Sequence, residues 1–396
     1  MPTMTYSTAT QLTPSEQTHQ AHHEVTGGVD THKDTHTVAA LDASGRLLGH
    51  REFAATPAGY AGLLGWLRGF GQLVRVGIEG TGVYGAGLAG YLQGVGVELV
   101  EVDRPDRKTR RWQGKSDPVD AEAAARAAQS GRATGIPKTR GGQVDALRAL
   151  RTARRSAVAA RAEAQTRMKA LVVTAPDPVR TALRGLGDRQ LVEHCATRRP
   201  DRAAAGDPAT ATVLALRALA RRHQQLTAEI DEFDTLIGPL VAAINPALVA
   251  LSGVGADVAG QLLVTAGDNP HRLRSEAAFA MLCGVAPLPA SSGRTHRHRL
   301  NRGGDRQANA ALYRIVLSRL RWDPRTRAYA TRRTTQGMSK PEIIRYLKRY
   351  IAREVYTALL APGPSSVPAL PSTVPEESTW SARSAARTND MDTDKR

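Results

Sequence analysis

The sequence predicts an α/β domain over residues 25–135, a long-helix coiled-coil stalk over 140–245 and a mainly α domain over 246–360. Three observations lead there. Short runs rich in Val, Thr and Leu dominate the first region. Leucines at helical spacing, with no strand signal, fill the second. A Gly-Val-Gly turn and a dense basic run mark the third. The polar, aperiodic residues 1–24 are expected to form a flexible tail, and the Pro/Ser-rich residues 361–396 a disordered one.

V-T-G-G-V-D-T-H, T-H-T-V-A-A-L-D and R-L-L-G-H-R-E-F read as three strands of an antiparallel meander, turning at Lys33-Asp34 and Ala43-Ser44-Gly45. Thr56-Pro57 opens an amphipathic helix through Leu63, Leu64 and Leu67. V-R-V-G-I-E at 74–79 is a strand, a glycine-rich helix covers about 82–93, and V-E-L-V-E-V-D at 97–103 is another strand. An alanine-rich helix from Asp117 closes the domain. Strand three times, then helix, strand, helix, strand, helix is the order of the RNase H-like fold.

In the stalk, Leu147, Leu150, Val158 and Met168 share one arginine-studded helix. Leu216, Leu219, Leu226, Ile230, Phe233 and Leu240 recur at spacings of three, four and seven, a coiled-coil seam expected to pair with another subunit. R-R-P-D-R-A-A-A-G-D-P between the two helices reads as a hinge. L-S-G-V-G-A-D-V-A resembles a helix-hairpin-helix turn, whose glycines let backbone N–H groups approach a phosphate.

Charge narrows the function classes. The chain has 54 Lys+Arg against 37 Asp+Glu, a formal net charge of +17. Residues 294–353 hold 17 Lys and Arg against Asp305, Asp323 and Glu342 alone. A merely solvated face mixes signs; this one suits a polyanion. No apolar run is long enough for a membrane span, and the N-terminus lacks a secretory core. Cys195 and Cys283 have no partner motif, which fits a reducing cytoplasm. The P-loop pattern is absent, and an aromatic content of 4% argues against a base-stacking platform.

Asp117 and Asp120 flank the start of the alanine-rich helix. Taken alone they read as capping, with Asp117 as N-cap, Pro118 as the first helical residue and Asp120 at N3. Two upstream acids change that reading. Asp30 falls within the first strand and Glu79 ends the fourth, and in an RNase H-like sheet these strands are neighbours. Four carboxylates around one point repel one another without a cation. Hard oxygen ligands suit Mg²⁺ or Mn²⁺, and two such ions can hold the attacking and leaving oxygens of a phosphodiester. His32 and His36 read as turn histidines or as supports of this site.

G-V-D-T-H-K-D-T-H, I-E-G-T-G-V-Y-G and K-S-D-P-V-D-A-E resemble the three acidic motifs of the serine-containing DEDD transposases of bacterial insertion sequences. Members of that family are bridge-RNA-guided DNA recombinases. The stretches L-S-G-V-G-A-D-V-A-G-Q-L-L, G-D-N-P-H-R-L-R-S-E-A-A-F-A-M-L-C-G-V-A-P-L-P-A-S-S-G and R-L-N-R-G-G-D-R-Q-A-N-A-A-L are similar to its second domain in order and spacing. The likeness covers about 27–355. It implies metal-binding Asp30, Glu79, Asp117 and Asp120, and a nucleophilic serine. Alignment on the Ser-Gly step gives Ser292, with Ser291 as the alternative. His296 and His298 are proton-carrier candidates or solvated loop residues. The implied partners are donor and target DNA, a guide noncoding RNA and further copies of the chain, as a dimer or tetramer, at the nucleoid. The same tetrad with water as nucleophile would instead make a nuclease or Holliday-junction resolvase.

Overall fold

The computed structural model describes residues 23–102, 116–290 and 298–361. Both expected tails therefore lie almost wholly outside the described residues, as do Ser291, Ser292 and His296.

Strands β1 (Glu24–Thr31), β2 (Thr35–Asp42) and β3 (Leu47–Ala54) form the expected meander. The first turn closes with His32 N–H donating to Thr35 O at 3.0 Å. In the second, Asp42 Oδ1 accepts from Ser44 N–H, Ser44 Oγ–H and Arg46 N–H, while Gly45 supplies a φ of 84°. After α1 (Pro57–Arg68), β4 (Gln72–Glu79) returns parallel to β1. After α2 (Ala86–Gly94), β5 (Glu98–Val102) pairs parallel to β4. The sheet order is β3-β2-β1-β4-β5.

One face of this mixed sheet carries the domain's apolar core. Val25, Val29, Val38, Val76 and Ile78 pack on Leu63 and Leu67 of α1 and Leu88 and Leu92 of α2. The opposite face carries Gly28 and Gly77, paired across β1 and β4, and is covered by α3 (Asp117–Gln129). Here the alanines have a reason. A Cβ built on Gly28 would lie 2.1 Å from Ala125 N and 2.3 Å from Ala121 O; one on Gly77 would lie 2.6 Å from Ala124 O. The stripe Ala121, Ala124, Ala125 and Ala128 thus lies directly on strand backbone, closer than any larger side chain permits. Gly28→Ala is expected to cost about 3 kcal/mol, because the clash is with main chain that cannot rotate away. Denaturant melts check the loss, and a mutant as stable as the parent would mean that α3 sits elsewhere.

The remainder is mainly helical. α4 (Gln143–Thr174) and α7 (Pro208–Ile244) pack along their length. Arg154 pairs with Asp234 and Arg161 reaches Thr227, so seven residues forward on α4 match seven back on α7. The helices are therefore antiparallel arms of one hairpin within a single chain. This corrects part of the stalk reading. Ile230 is 3% exposed inside this hairpin, and Phe233 packs in part against the C-terminal core, so Ile230 at least is spent within the chain. The stretch read as a hinge is preceded by α5 (Asp177–Leu183) and α6 (Asp188–Thr197). With Met168, Leu216 and Ala220 these two helices close a small separate core at the far end.

At the near end, Val144 and Leu147 of α4 and Ile237 and Val241 of α7 enter a second core with the C-terminal helices. These are α8 (Pro246–Val249), α9 (Ala256–Ala266), α10 (Glu276–Leu282), α11 (Arg306–Trp322), α12 (Pro324–Thr335) and α13 (Lys340–Leu360). A two-stranded ladder, β6 (Leu288–Pro289) with β7 (His298–Arg299), joins α10 to α11. At the Gly-Val-Gly turn, Gly253 has φ 76° and Arg319 Nε donates to Ser252 O at 2.8 Å. Asp257, in the first turn of α9, already bonds Arg151 and Arg314. Among the described residues, no helix is long and apolar enough to cross a membrane.

The segment between α3 and α4 ties the sheet to the helical body. Glu101 N–H bonds Gly135 O, Asn269 holds Pro137 O and Thr139 N–H, and Arg140 reaches back to Gly82 O. Lys138 Nζ donates to Val264 O, and burial pulls its pKa down to about 8.

Candidate active site

The parallel register pairs Val29 with Ile78. The next step along both strands brings Asp30 and Glu79 side by side, on the face that α3 covers. Thr31 Oγ donates to Glu79 O at 2.8 Å, fixing that strand end. Because the Gly28 and Gly77 contacts seat α3 on these strands, its N-terminal turn comes over Asp30.

The capping expectation fails here. Ser116 is the N-cap, with no side-chain cap hydrogen bond, and Asp117 is the first helical residue. Asp120 N–H bonds Ser116 O within the helix ladder, one position later than the N3 expected. Asp120 is only 5% exposed. A capping carboxylate faces the free N–H groups in solvent, which a buried acid one turn beyond the cap does not.

Asp30 has a side chain 14% exposed. Burial pushes its pKa up; His32 draws it back, and the nearby charges of Asp120 and Asp117 push it up further. His32, in the turn after β1, has Nε2 4.0 Å from Asp30 Oδ2 and Nδ1 3.8 Å from Asp117 Oδ2. Ligand atoms of Asp30, His32 and Asp117 lie within 4.8 Å of one another. The grouping suits a divalent cation: hard carboxylate oxygens close together, Asp30 among them half-buried, with one imidazole at the rim.

His36 belongs elsewhere. Its register partner is Thr31, which puts it on the opposite face from Asp30, and it is a strand residue rather than a turn residue. It is fully buried, stacks on Tyr60 at 5.7 Å, and neither ring nitrogen has a hydrogen-bond partner among the described residues. The Thr35 backbone is near but outside bonding geometry, and burial lowers the imidazole pKa. The unfolded chain therefore takes up this proton first as pH falls. Stability is full above about pH 6.5 and declines below it. His36→Phe should flatten that decline and stabilise the fold by about 1–3 kcal/mol, read from denaturant melts at pH 7.5 and 5. An unchanged pH dependence would refute it.

Ser292, its alternative Ser291 and His296 lie outside the described residues. The β6–β7 ladder pairs Pro289 with His298, and the two serines fall between these strands in the sequence. A cleft of about 1070 Å³ is lined by none of the four acids. It runs beside them, with Val119, Glu122 and Arg126 of α3 on one wall and Arg272, Arg274 and Met281 on the other. Sequence reading passed over Thr81, whose Oγ donates to Glu101 Oε1 at 2.6 Å at the end of β5. It also passed over Arg126, bonded to Glu122 and Gly45 O.

Residues 27–175 match the model of a DEDD transposase family of IS110 type, and residues 245–331 match that of the transposase IS116/IS110/IS902 family. The chain belongs to the IS110 family of transposases. The first matched region contains all four acids, and the second contains the serine stretch. Among the relatives is an uncharacterized 43.6 kDa protein of insertion element IS110 from Streptomyces coelicolor. It is 33% identical over 107 residues, which are 27% of this chain and 26% of the relative. An uncharacterized 42 kDa protein of insertion element IS900 from Mycobacterium paratuberculosis is 30% identical over 147 residues, 36% of each chain. The matched stretches span about a third or less of these relatives' lengths.

Proposed function

We propose that this chain is a DNA transposase that cuts and rejoins strands with a divalent-metal tetrad on an RNase H-like domain and a nucleophilic serine, guided by RNA. The observation that supports this reading is the cluster of Asp30, His32 and Asp117, whose ligand atoms lie within 4.8 Å of one another, with the charge of Asp120 also acting on Asp30. Asp30, Glu79, Asp117 and Asp120 would hold Mg²⁺ or Mn²⁺, which when bound would stabilise charge on the attacking and leaving oxygens of a phosphodiester.

The chain's own residues have separate tasks. The strand ends fix Asp30 and Glu79, and α3 carries Asp117 and Asp120 to them. His32 bridges two carboxylates at the rim, where it can orient Asp117 or take a proton. Ser292 is assigned as nucleophile by its likeness to the family, with its hydroxyl proton passing to a nearby base. The basic field over 294–353 supplies phosphate contacts. The protein is proposed to act as a dimer or tetramer in the cytoplasm, at the nucleoid.

The test is to purify the protein with its native nucleic acid and assay divalent-dependent cleavage of donor and target duplexes. Cleavage should vanish with EDTA and return with Mg²⁺ or Mn²⁺, and a specific noncoding RNA should co-purify. Cleavage untouched by chelation would refute the metal tetrad. The second reading, a nuclease or junction resolvase using water, rests on the same four acids; it predicts cleavage with no protein–DNA linkage.

A further inference from the structure

The far end of the α4–α7 hairpin carries charge that the cleavage site does not explain. Arg199 and Arg202 lie in the connection from α6 to α7, and Arg217 and Arg221 on the third and fourth turns of α7. Burial, and then the charges of nearby Arg221, Arg202 and Arg199, disfavour the charge on Arg217. Arg217 Nε is buried without a hydrogen-bond partner among the described residues, and Arg221 Nε reaches only Ala196 O, at 3.4 Å.

The acids of this end are otherwise engaged. Asp177 pairs with Arg180, Glu193 with Arg189 and Asp188 with Lys169. Asp207 caps α7 through Thr210, and Asp201 Oδ1 accepts from Ala203 N–H. Among the described residues no carboxylate forms an ion pair with Arg184, Arg199, Arg202, Arg217 or Arg222. Clustered like charges without counter-charge raise the energy of the free protein, and an arriving polyanion relieves that. The apolar residues of this end, Leu183, Leu191, Val192 and Leu216, are spent in their own core. That leaves a surface suited to phosphates rather than to an apolar protein partner.

We propose that the hairpin is a nucleic-acid arm whose arginine tip, Arg199, Arg202, Arg217 and Arg221, grips the phosphate backbone of duplex DNA at a point remote from the acidic tetrad. α4 has 32 residues, so at 1.5 Å per residue the tip stands about 45 Å from the hairpin's base. That equals ~13 base pairs of duplex at 3.4 Å each. The arm would read no sequence, because arginine–phosphate contacts position a duplex without specifying it. The proposal rests on the transposase reading only in taking DNA as the bound polymer.

The test compares wild-type protein with Arg199→Ala/Arg202→Ala/Arg217→Ala and with the matching triple Lys variant, on duplex DNA of about 40 base pairs. Anisotropy titrations over a range of salt give the slope of log K against log salt. The Ala variant should lose about 2–3 units of slope and the Lys variant should keep it, since each phosphate contact contributes about 0.9. Removing mutually repelling charges should leave the melting temperature equal or higher. An unchanged slope in the Ala variant, or a loss confined to duplex RNA, overturns the proposal. Metal-dependent cleavage by the wild type, assayed in parallel, separates the two readings: its absence sinks the transposase function, whereas an unchanged slope beside normal cleavage sinks the arm alone.

Discussion

Asp120→Ala is expected to reduce divalent-dependent strand cleavage by about 10³-fold or more while leaving nucleic-acid binding nearly intact. A cation that stabilises charge on the reacting oxygens contributes several kcal/mol, and a tenfold loss of rate corresponds to about 1.4 kcal/mol. Asp120 is the most informative of the four acids because it is 5% exposed and is neither the cap nor at N3. Its burial beside Asp30 makes sense if a cation offsets the repulsion. Asp30→Ala, Glu79→Ala and Asp117→Ala should behave alike, and affinity should persist because it comes from the arginines. One further result separates metal binding from packing. Asp120→Asn keeps the volume and removes the charge, so it should fold at least as well as the parent and still fail to cleave. Full cleavage by either Asp120 variant would return the residue to a structural role.

The sheet was legible because its signals are local. Period-two runs, turn glycines and Thr56-Pro57 each announce an element without help from distant sequence, and the strand boundaries agree within two residues. Asp30 and Glu79 could be brought together because parallel strand ends form a predictable edge. The role of the alanine stripe was not legible. Nothing local says that Gly28 and Gly77 pair across two strands to admit a helix backbone; that needs the register. His36 was misread for a related reason, since a His four residues after His32 looks like part of the same turn until the pairing with Thr31 reverses its face. The stalk misled differently. A seam of leucines at heptad spacing marks a helix with a partner but cannot tell a second subunit from a second helix of the same chain. Here Arg154–Asp234 and the buried Ile230 assign much of that seam to the chain itself.

Ser292→Ala is expected to eliminate a covalent protein–DNA adduct that survives denaturation, with DNA binding and metal response retained. The serine oxygen would attack a backbone phosphorus, the Ser–O–P bond replacing the bond to the leaving oxygen, which takes up a proton. Rejoining reverses those changes with a new strand end, so strand exchange needs no external energy. Water in place of serine would release the phosphate end for good. The adduct therefore separates a recombinase from a nuclease, whatever else the two share. Ser291→Ala should leave the adduct in place; loss in that variant alone would move the role by one residue. Where the serine acts is a second question. In the sequence Ser292 falls between β6 and β7 of the helical region, whereas Asp30 and Glu79 lie on the sheet and Asp117 and Asp120 on α3. In a two-fold assembly, one subunit's serine would serve another's tetrad, withholding cleavage until DNA and all subunits are docked. Mixing Ser292→Ala with Asp30→Ala protein should then restore part of the activity, because a mixed assembly contains one intact composite site. Restoration absent from mixtures shown to co-assemble would put serine and acids of one site in one chain. Normal cleavage by Ser292→Ala, with free ends and no adduct, would remove the recombinase reading and leave the water-using nuclease in its place.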